Sequence, residues 1–382
     1  MDFDRQLQLE GLKLSAFVFG PRMTGKTFLL RKLECALFVD LLDPEIELNF
    51  RHSPRHFWER IAVLPEKSLV IVDEVQKVPA LLDYVQKGIE DKNLRFILSG
   101  SSARKLKRGG ANLLGGRALD LHLHPLTAGE IGKDFHLETT LKYGSLPKVT
   151  QLILDRQTED AKGVLRAYNT IYIKEEIQAE ALTRNVGAFQ RFLSVAAQSN
   201  GAVIEFANIS RECSVPMSTV KEYYSILEDT LLGFFLWPWD RSERKKARPK
   251  FYFFDTGVTR AIQDRLNDDP PPLEKGVLFE QWFVNELRRL RDYSRKDYDF
   301  AFWRRGRQEI DILVMRGGKP VLAFECKTGQ ESLPSDTLNN FQKHFPKLPL
   351  FIVSARKEGH RRLDNGLEIL PFSMAMDKFL SV

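Results

Sequence analysis

The chain has 382 residues, of which 43% are hydrophobic and 28% charged, a balance that excludes a disordered or low-complexity chain and suits two or three globular domains. No apolar run approaches the roughly 20 residues that a membrane helix needs, and the acidic start Met1-Asp2-Phe3-Asp4 lacks the basic and apolar parts of a signal peptide, so a cytoplasmic protein with no membrane partner is expected. The formal charge of +6 is mild for this length and points to an anionic partner only where it clusters, while Cys35, Cys213 and Cys326 show neither a pairing rhythm nor zinc spacing.

The apolar residues 14–19 predict a strand, and Gly20-Pro21-Arg22-Met23-Thr24-Gly25-Lys26-Thr27 follows at once, ahead of a helix over 28–33. Glycines let backbone N–H groups turn inward around an anion, a lysine at this spacing reaches terminal phosphates, and the hydroxyl after it suits a magnesium ion. The positive end of the following helix supports the same charge. Gly20, Thr24, Gly25, Lys26 and Thr27 are therefore the expected contacts to ATP, with Thr27 also on Mg2+.

A second buried strand over 68–72 ends in Asp73-Glu74. At the carboxyl edge of an open α/β sheet Asp73 would hold the magnesium ion through its water shell, and Glu74 would polarise the attacking water. The plainer alternative is a helix N-cap at Asp73. A third strand over 94–98 places Ser99 at the same edge in the manner of a γ-phosphate sensor, against the alternative of a polar turn. Gly115-Gly116-Arg117 mounts an arginine on a glycine-rich loop, as an arginine finger needs, acting in cis or from a neighbouring subunit of a homo-oligomer. A solvated surface arginine is the alternative.

Residues 121–127 close the nucleotide domain as its last strand, and the apolar spacing over 161–199 is helical. Residues 202–236 have the cadence of a winged helix-turn-helix, with a recognition helix over 219–227 that exposes Ser218, Lys221 and Glu222; a lid or dimerisation element is the rival reading. Basic clusters at 241–250 and at Arg304, Arg305 and Arg307 suit a phosphate backbone, making DNA the expected partner, although charge runs are often solvated loops. The run 249–254 predicts a strand, with Asp255 as the cap of the next helix, and Asp268-Asp269-Pro270-Pro271-Pro272 reads as a linker.

Beyond it, Glu280 lies on a helix, Asp311 on a strand and Glu325-Cys326-Lys327 on a second strand. Side chains alternate along a strand, so Glu325 and Lys327 share a face and can converge with Asp311. Carboxylates are hard ligands suited to Mg2+ or Mn2+, and the lysine can activate water or steady charge on a scissile phosphate. Asp311, Glu325 and Lys327 are thus catalytic candidates, and Glu280, Asp311 and Glu325 metal candidates. A hairpin with ordinary ion pairs is the alternative.

Together these marks, with Leu126-Thr127, Glu130 and Lys250-Phe251-Tyr252-Phe253-Phe254-Asp255-Thr256-Gly257, resemble a widespread prokaryotic family of AAA-type ATPases with a C-terminal PD-(D/E)xK nuclease-like domain of unknown function. The resemblance implies an α/β chain in three parts: a AAA-type P-loop ATPase domain over 1–135, a helical and winged-helix domain over 136–268, and a PD-(D/E)xK (restriction-endonuclease-like) domain over 269–382. The expected function is ATP-driven DNA processing, with branched DNA among the candidate substrates. Its rival is a nucleotide-controlled switch or scaffold whose C-terminal domain binds nucleic acid or protein without cleaving.

Overall fold

Strands that are apolar on both faces, rather than alternating, mark a sheet covered by helices on each side, and three such strands lie at the centre of a five-stranded first sheet. In the computed structural model, which describes residues 3–101, 114–173, 185–239, 248–329, 331–356 and 358–382, its strands are β1 (Ser15–Phe19), β2 (Leu37–Asp40), β3 (Leu69–Asp73), β4 (Arg95–Gly100) and β5 (Ala118–His122). All neighbours are parallel, in the order β2-β3-β4-β1-β5. Helices Lys26–Leu30, Pro44–His52, Arg55–Ala62 and Leu81–Lys92 join them. Phe17, Phe50, Phe57, Ile61, Val72 and Phe96 are buried together in the resulting core. The chain leaves β1 in one direction and returns through β5 on its other side, so the loop after β1 lies at the reversal of strand order, where open sheets take ligands.

The chain divides into two compact units, Met1–Leu126 with Ile226–Leu232, and Thr127–Ser225 with Gly233–Val382. The second begins with Thr127, whose side chain and that of Glu130 form a reciprocal capping box on the helix Ala128–Ile131. Helices Leu137–Tyr143, Pro147–Leu154, Thr158–Ala167 and Val186–Gln198 follow. Helices Phe206–Cys213 and Met217–Asp229 follow, separated by three residues, and Ser218, Lys221 and Glu222 are exposed. In the place expected for a wing stands the antiparallel pair β6 (Gly233–Pro238) and β7 (Lys250–Phe253). Of the basic run at 241–250, residues 241–247 lie outside the described residues.

The wing is also part of the second sheet. Strands β8 (Asp299–Arg305), β9 (Gln308–Arg316), β10 (Lys319–Lys327), β11 (Leu350–Ser354), β12 (Arg361–Arg362) and β13 (Glu368–Pro371) join it in the order β12-β13-β11-β10-β9-β8-β6-β7. The connection runs through a parallel pairing of Trp237 with Ala301 and of Pro238 with Phe302. The proline-rich stretch expected to be a linker therefore lies inside this unit, and Pro272 opens the 23-residue helix Pro272–Ser294. A proline at the first helical position loses no hydrogen bond, because that N–H has no intrahelical acceptor anyway. No helix among the described residues is long and apolar enough to cross a membrane.

Asp255 caps the helix Thr256–Ile262. Its Oδ1 accepts from the Val258 N–H at 3.0 Å and its Oδ2 from the Ser145 N–H at 2.8 Å. Gly257 permits this close approach, since a Cβ there would lie 2.0 Å from the Tyr143 carbonyl oxygen.

Candidate functional site

The loop after β1 turns through Met23 at φ 65° and Gly25 at φ 92°, left-handed values that a glycine adopts without penalty. A side chain at Gly20 would meet the Leu123 carbonyl oxygen at 2.3 Å, so the loop can pass there only as glycine. The Lys26 ammonium, buried at 5% exposure, folds back to donate to the carbonyls of Gly20 at 2.7 Å and Pro21 at 3.1 Å. The Thr24 hydroxyl donates to Pro21 at 2.9 Å. Outside the motif, Arg5 braces the loop by donating to the Thr24 carbonyl at 2.6 Å and the His124 carbonyl at 2.7 Å.

Strands β3 and β4 bring Asp73, Glu74 and Ser99 to the same edge of the sheet. The Ser99 hydroxyl donates a short hydrogen bond to Asp73 Oδ1 and accepts from the Glu74 N–H at 3.0 Å. Asp73 is fully buried, and its Oδ2 has no hydrogen-bond partner. An orphaned carboxylate oxygen at this edge is costly unless a cation or its water shell satisfies it, so Asp73 fits a hydrated cation. Glu74 adopts φ 59° although it is not glycine, which turns its side chain out of the β3 line at a cost of about 1–2 kcal/mol. Strain of this kind gathers at functional positions. The Gln76 amide donates to Glu74 Oε2 and, at 3.4 Å, to the Ser101 hydroxyl.

Arg117 is placed differently. Ala118 pairs with Ser15, at the start of β1, so Arg117 stands at the amino edge of the sheet while the phosphate loop leaves the carboxyl edge. A five-residue strand is about 16 Å long, which rules out a finger acting in cis in this arrangement. Its guanidinium instead pairs with Glu90 at 2.9 Å, both groups being over 40% exposed.

In the second unit, β9 and β10 bring Asp311 and Glu325 together as the alternation predicts. The Asp311 N–H donates to Glu325 Oε2 at 3.3 Å, the Cys326 N–H donates to Asp311 Oδ2 at 2.9 Å, and the Lys327 ammonium meets Glu325 Oε1 at 2.7 Å. Glu280 joins from the helix Pro272–Ser294, but a further cation stands between it and the strands. The Lys250 ammonium, at the start of β7, lies 2.6 Å from Glu280 Oε1, 2.6 Å from Glu309 Oε1 and 3.8 Å from Asp311 Oδ1. Tyr252 donates a short hydrogen bond to the same Glu280 oxygen. Among the described residues no three His, Cys, Asp or Glu side chains are grouped to hold a metal ion, so Glu280, Asp311 and Glu325 do not meet as a trio of ligands. A cation of the protein itself, the Lys250 ammonium, is instead paired with Glu280 and lies near Asp311.

Electrostatics fit this crowding. Burial, and then the Asp311 charge, push the Glu280 carboxyl up to about 7 and that of Glu325 up to about 8. Burial pulls the Lys250 ammonium down, but Glu280, Tyr252, Asp311 and Glu309 outweigh it and hold it well above its ordinary value. Sequence reading passed over Lys250, Tyr252 and Glu309 as site residues. The signal was there: 250 and 252, like 309 and 311, are two apart on strands and so share a face. Arg5 and Gln76 carry no such mark.

Residues 13–132 match the family model described as AAA domain, so the first unit holds a P-loop domain of AAA type. Residues 134–269 and 275–375 match two models, each described as a domain of unknown function (DUF8612 and DUF4143). An uncharacterized protein of Methanocaldococcus jannaschii is 21% identical over 395 residues, covering 93% of this chain and 86% of that one. One from Haemophilus influenzae is 22% identical over 400 residues, covering 95% and 94%. Among solved structures, the Aeropyrum pernix ORC1 protein in complex with DNA aligns with a TM-score of 0.31 and 13% identity over 67% of this chain and 87% of that one. The replication initiator DnaA bound to AMPPCP and single-stranded DNA aligns with a TM-score of 0.30 and 13% identity over 57% and 83%.

Proposed function

We propose that this chain is a DNA-binding ATPase: its first unit binds and hydrolyses Mg-ATP, and its second unit acts on DNA. The observation that carries the ATPase reading is the gathering of Lys26, Asp73, Glu74 and Ser99 at one edge of a parallel sheet. On binding ATP, Lys26 exchanges its neutral carbonyl partners for phosphate oxygens, a charge-assisted and stronger bond. Thr27 and Asp73 would hold the magnesium ion, which supplies neutralisation of phosphate charge. Glu74 orients a water and takes its proton as the water oxygen attacks the γ-phosphorus; the bond to the β–γ bridging oxygen breaks and ADP leaves. Ser99, tied to both Asp73 and the Glu74 backbone, is suited to relay the loss of the γ-phosphate. An arginine supplied by a neighbouring subunit remains compatible with exposed Arg117, and then turnover per subunit rises with protein concentration.

Exposed Ser218, Lys221 and Glu222 on the helix Met217–Asp229, together with Arg304, Arg305 and Arg307, support DNA binding by the second unit. Asp311, Glu325 and Lys327 support a nuclease-like, PD-(D/E)xK reading of the C-terminal domain, with magnesium or manganese as the metal and branched DNA as a substrate to test. A second reading, binding without cleavage, is favoured by the seat of Lys250 among the carboxylates. Linear, single-stranded and four-way-junction DNAs incubated with Mg2+ or Mn2+, with and without ATP, separate the two. Cleavage lost in Lys327→Ala supports the nuclease, and its loss in Lys26→Ala couples it to ATP. DNA that is bound but never cut supports the second reading.

A further inference from the structure

Lys250 belongs to two features at once. It is the first residue of β7, where the chain leaves the basic β6–β7 connection, and its ammonium is the cation shared by Glu280, Glu309 and Asp311. It is 3% exposed, stacked at 5.5 Å over the Phe302 ring, and held from the side by the Tyr252 hydroxyl on Glu280. A lysine this buried is not a solvated member of a charge run. Two carboxylate oxygens, each 2.6 Å from the ammonium, share it as an ion-pair bridge, the job that a divalent cation performs in a carboxylate cluster.

We propose that Lys250 is the resident cation of the C-terminal cluster and competes directly with any divalent metal for Glu280 and Asp311. An ammonium and a metal ion cannot both sit between these two side chains: a metal–oxygen bond is about 2.0–2.6 Å, and the lysine nitrogen already fills that space. Metal binding at this cluster therefore requires Lys250 to leave. Because Lys250 opens β7, any displacement of the wing moves the competitor, which links the nucleic-acid-binding element to the charge state of the cluster. The inference deepens the second functional reading above and rests on it: there Lys250 only sits among the carboxylates, and here it competes with a metal ion for them.

The test is Mn2+ titration of the full chain without nucleotide, followed by calorimetry and by the electron-spin signal of free Mn2+, for wild type, Lys250→Met, Asp311→Asn and the double variant Lys250→Met/Asp311→Asn. Lys250→Met should bind Mn2+ at least tenfold more tightly than wild type, and the gain should vanish in the double variant. Equal or weaker binding by Lys250→Met overturns the proposal, as does a gain that survives loss of Asp311. If Lys250→Met does not fold, Lys250→Met/Glu309→Gln removes one charge of each sign while keeping Glu280, Asp311 and Glu325. It should show the same tenfold gain, and its absence overturns the proposal equally. ATP turnover is read separately: a wild type that hydrolyses no ATP sinks the proposed function and leaves the competition standing, while unchanged Mn2+ affinity does the reverse.

Discussion

Two buried lysines, Lys26 in the phosphate loop and Lys250 at the start of β7, meet opposite surroundings. Lys26 is held by two neutral carbonyls of its own loop, partners that an incoming phosphate easily outbids. Lys250 is held by carboxylates from a helix and a neighbouring strand, so its charge is already matched within the protein. The same side chain is thus poised for a ligand in one unit and locked by the protein in the other.

The largest effect expected on the open side of this contrast is at Glu74. A Glu74→Gln variant should keep ATP binding but lose turnover by about 10²–10⁴-fold, the usual contribution of a general base. Binding measured with a fluorescent nucleotide beside phosphate release would show it, and unchanged turnover would remove Glu74 from the mechanism. On the locked side, Lys250→Met should destabilise the fold by up to about 3–5 kcal/mol, because it leaves three half-buried carboxylates without their shared cation. Lys26→Met, which removes the donor to the carbonyls of Gly20 and Pro21, should cost about 1–2 kcal/mol. Chemical denaturation of the two variants compares them directly, and equal losses would erase the distinction.

Glu286 gives an intermediate case: fully buried, it accepts from the Ala128 N–H at 2.6 Å and faces Arg289 at 3.3 Å. Burial nonetheless dominates and raises its carboxyl from 4.5 to about 7. The folded state then holds the proton more tightly than the unfolded one. The stability it contributes is full below pH 4.5 and is lost as pH rises through about 7. Across that window wild type should lose on the order of 3 kcal/mol relative to Glu286→Gln, which cannot ionise. Denaturation at a series of pH values tests this, and parallel curves would contradict it. The smallest effect is at Arg117, whose exposed pair with Glu90 is worth at most about 1 kcal/mol. In dilute solution Arg117→Ala should change turnover less than twofold, and a large loss confined to high protein concentration would mark it as acting in trans.

Where chemistry lies along the chain, the sequence is legible. The phosphate loop is eight consecutive residues, and Asp73, Ser99 and Asp311 each end or occupy a strand whose apolar run announces it. Pairs two apart on a strand, such as Glu325 and Lys327, follow from alternation alone. What could not be read depends on distance through space. β2 is short and half-exposed, and the helices Pro44–His52 and Arg55–Ala62 lie in a stretch that carries no motif. Arg117 follows two glycines, yet register rather than composition sets which edge of the sheet it joins. Lys250 sits inside a run of basic residues that reads as solvated surface, and only the joining of β6 to β8 brings the wing into the second sheet, where that lysine meets Glu309 and Asp311.

The central claim, an ATPase built on the loop after β1, is tested most directly by steady-state ATP hydrolysis of the full chain with Mg2+, comparing wild type with Lys26→Ala. Magnesium-dependent turnover in the wild type that disappears in Lys26→Ala is the predicted result. Turnover of the same size in both proteins would contradict it.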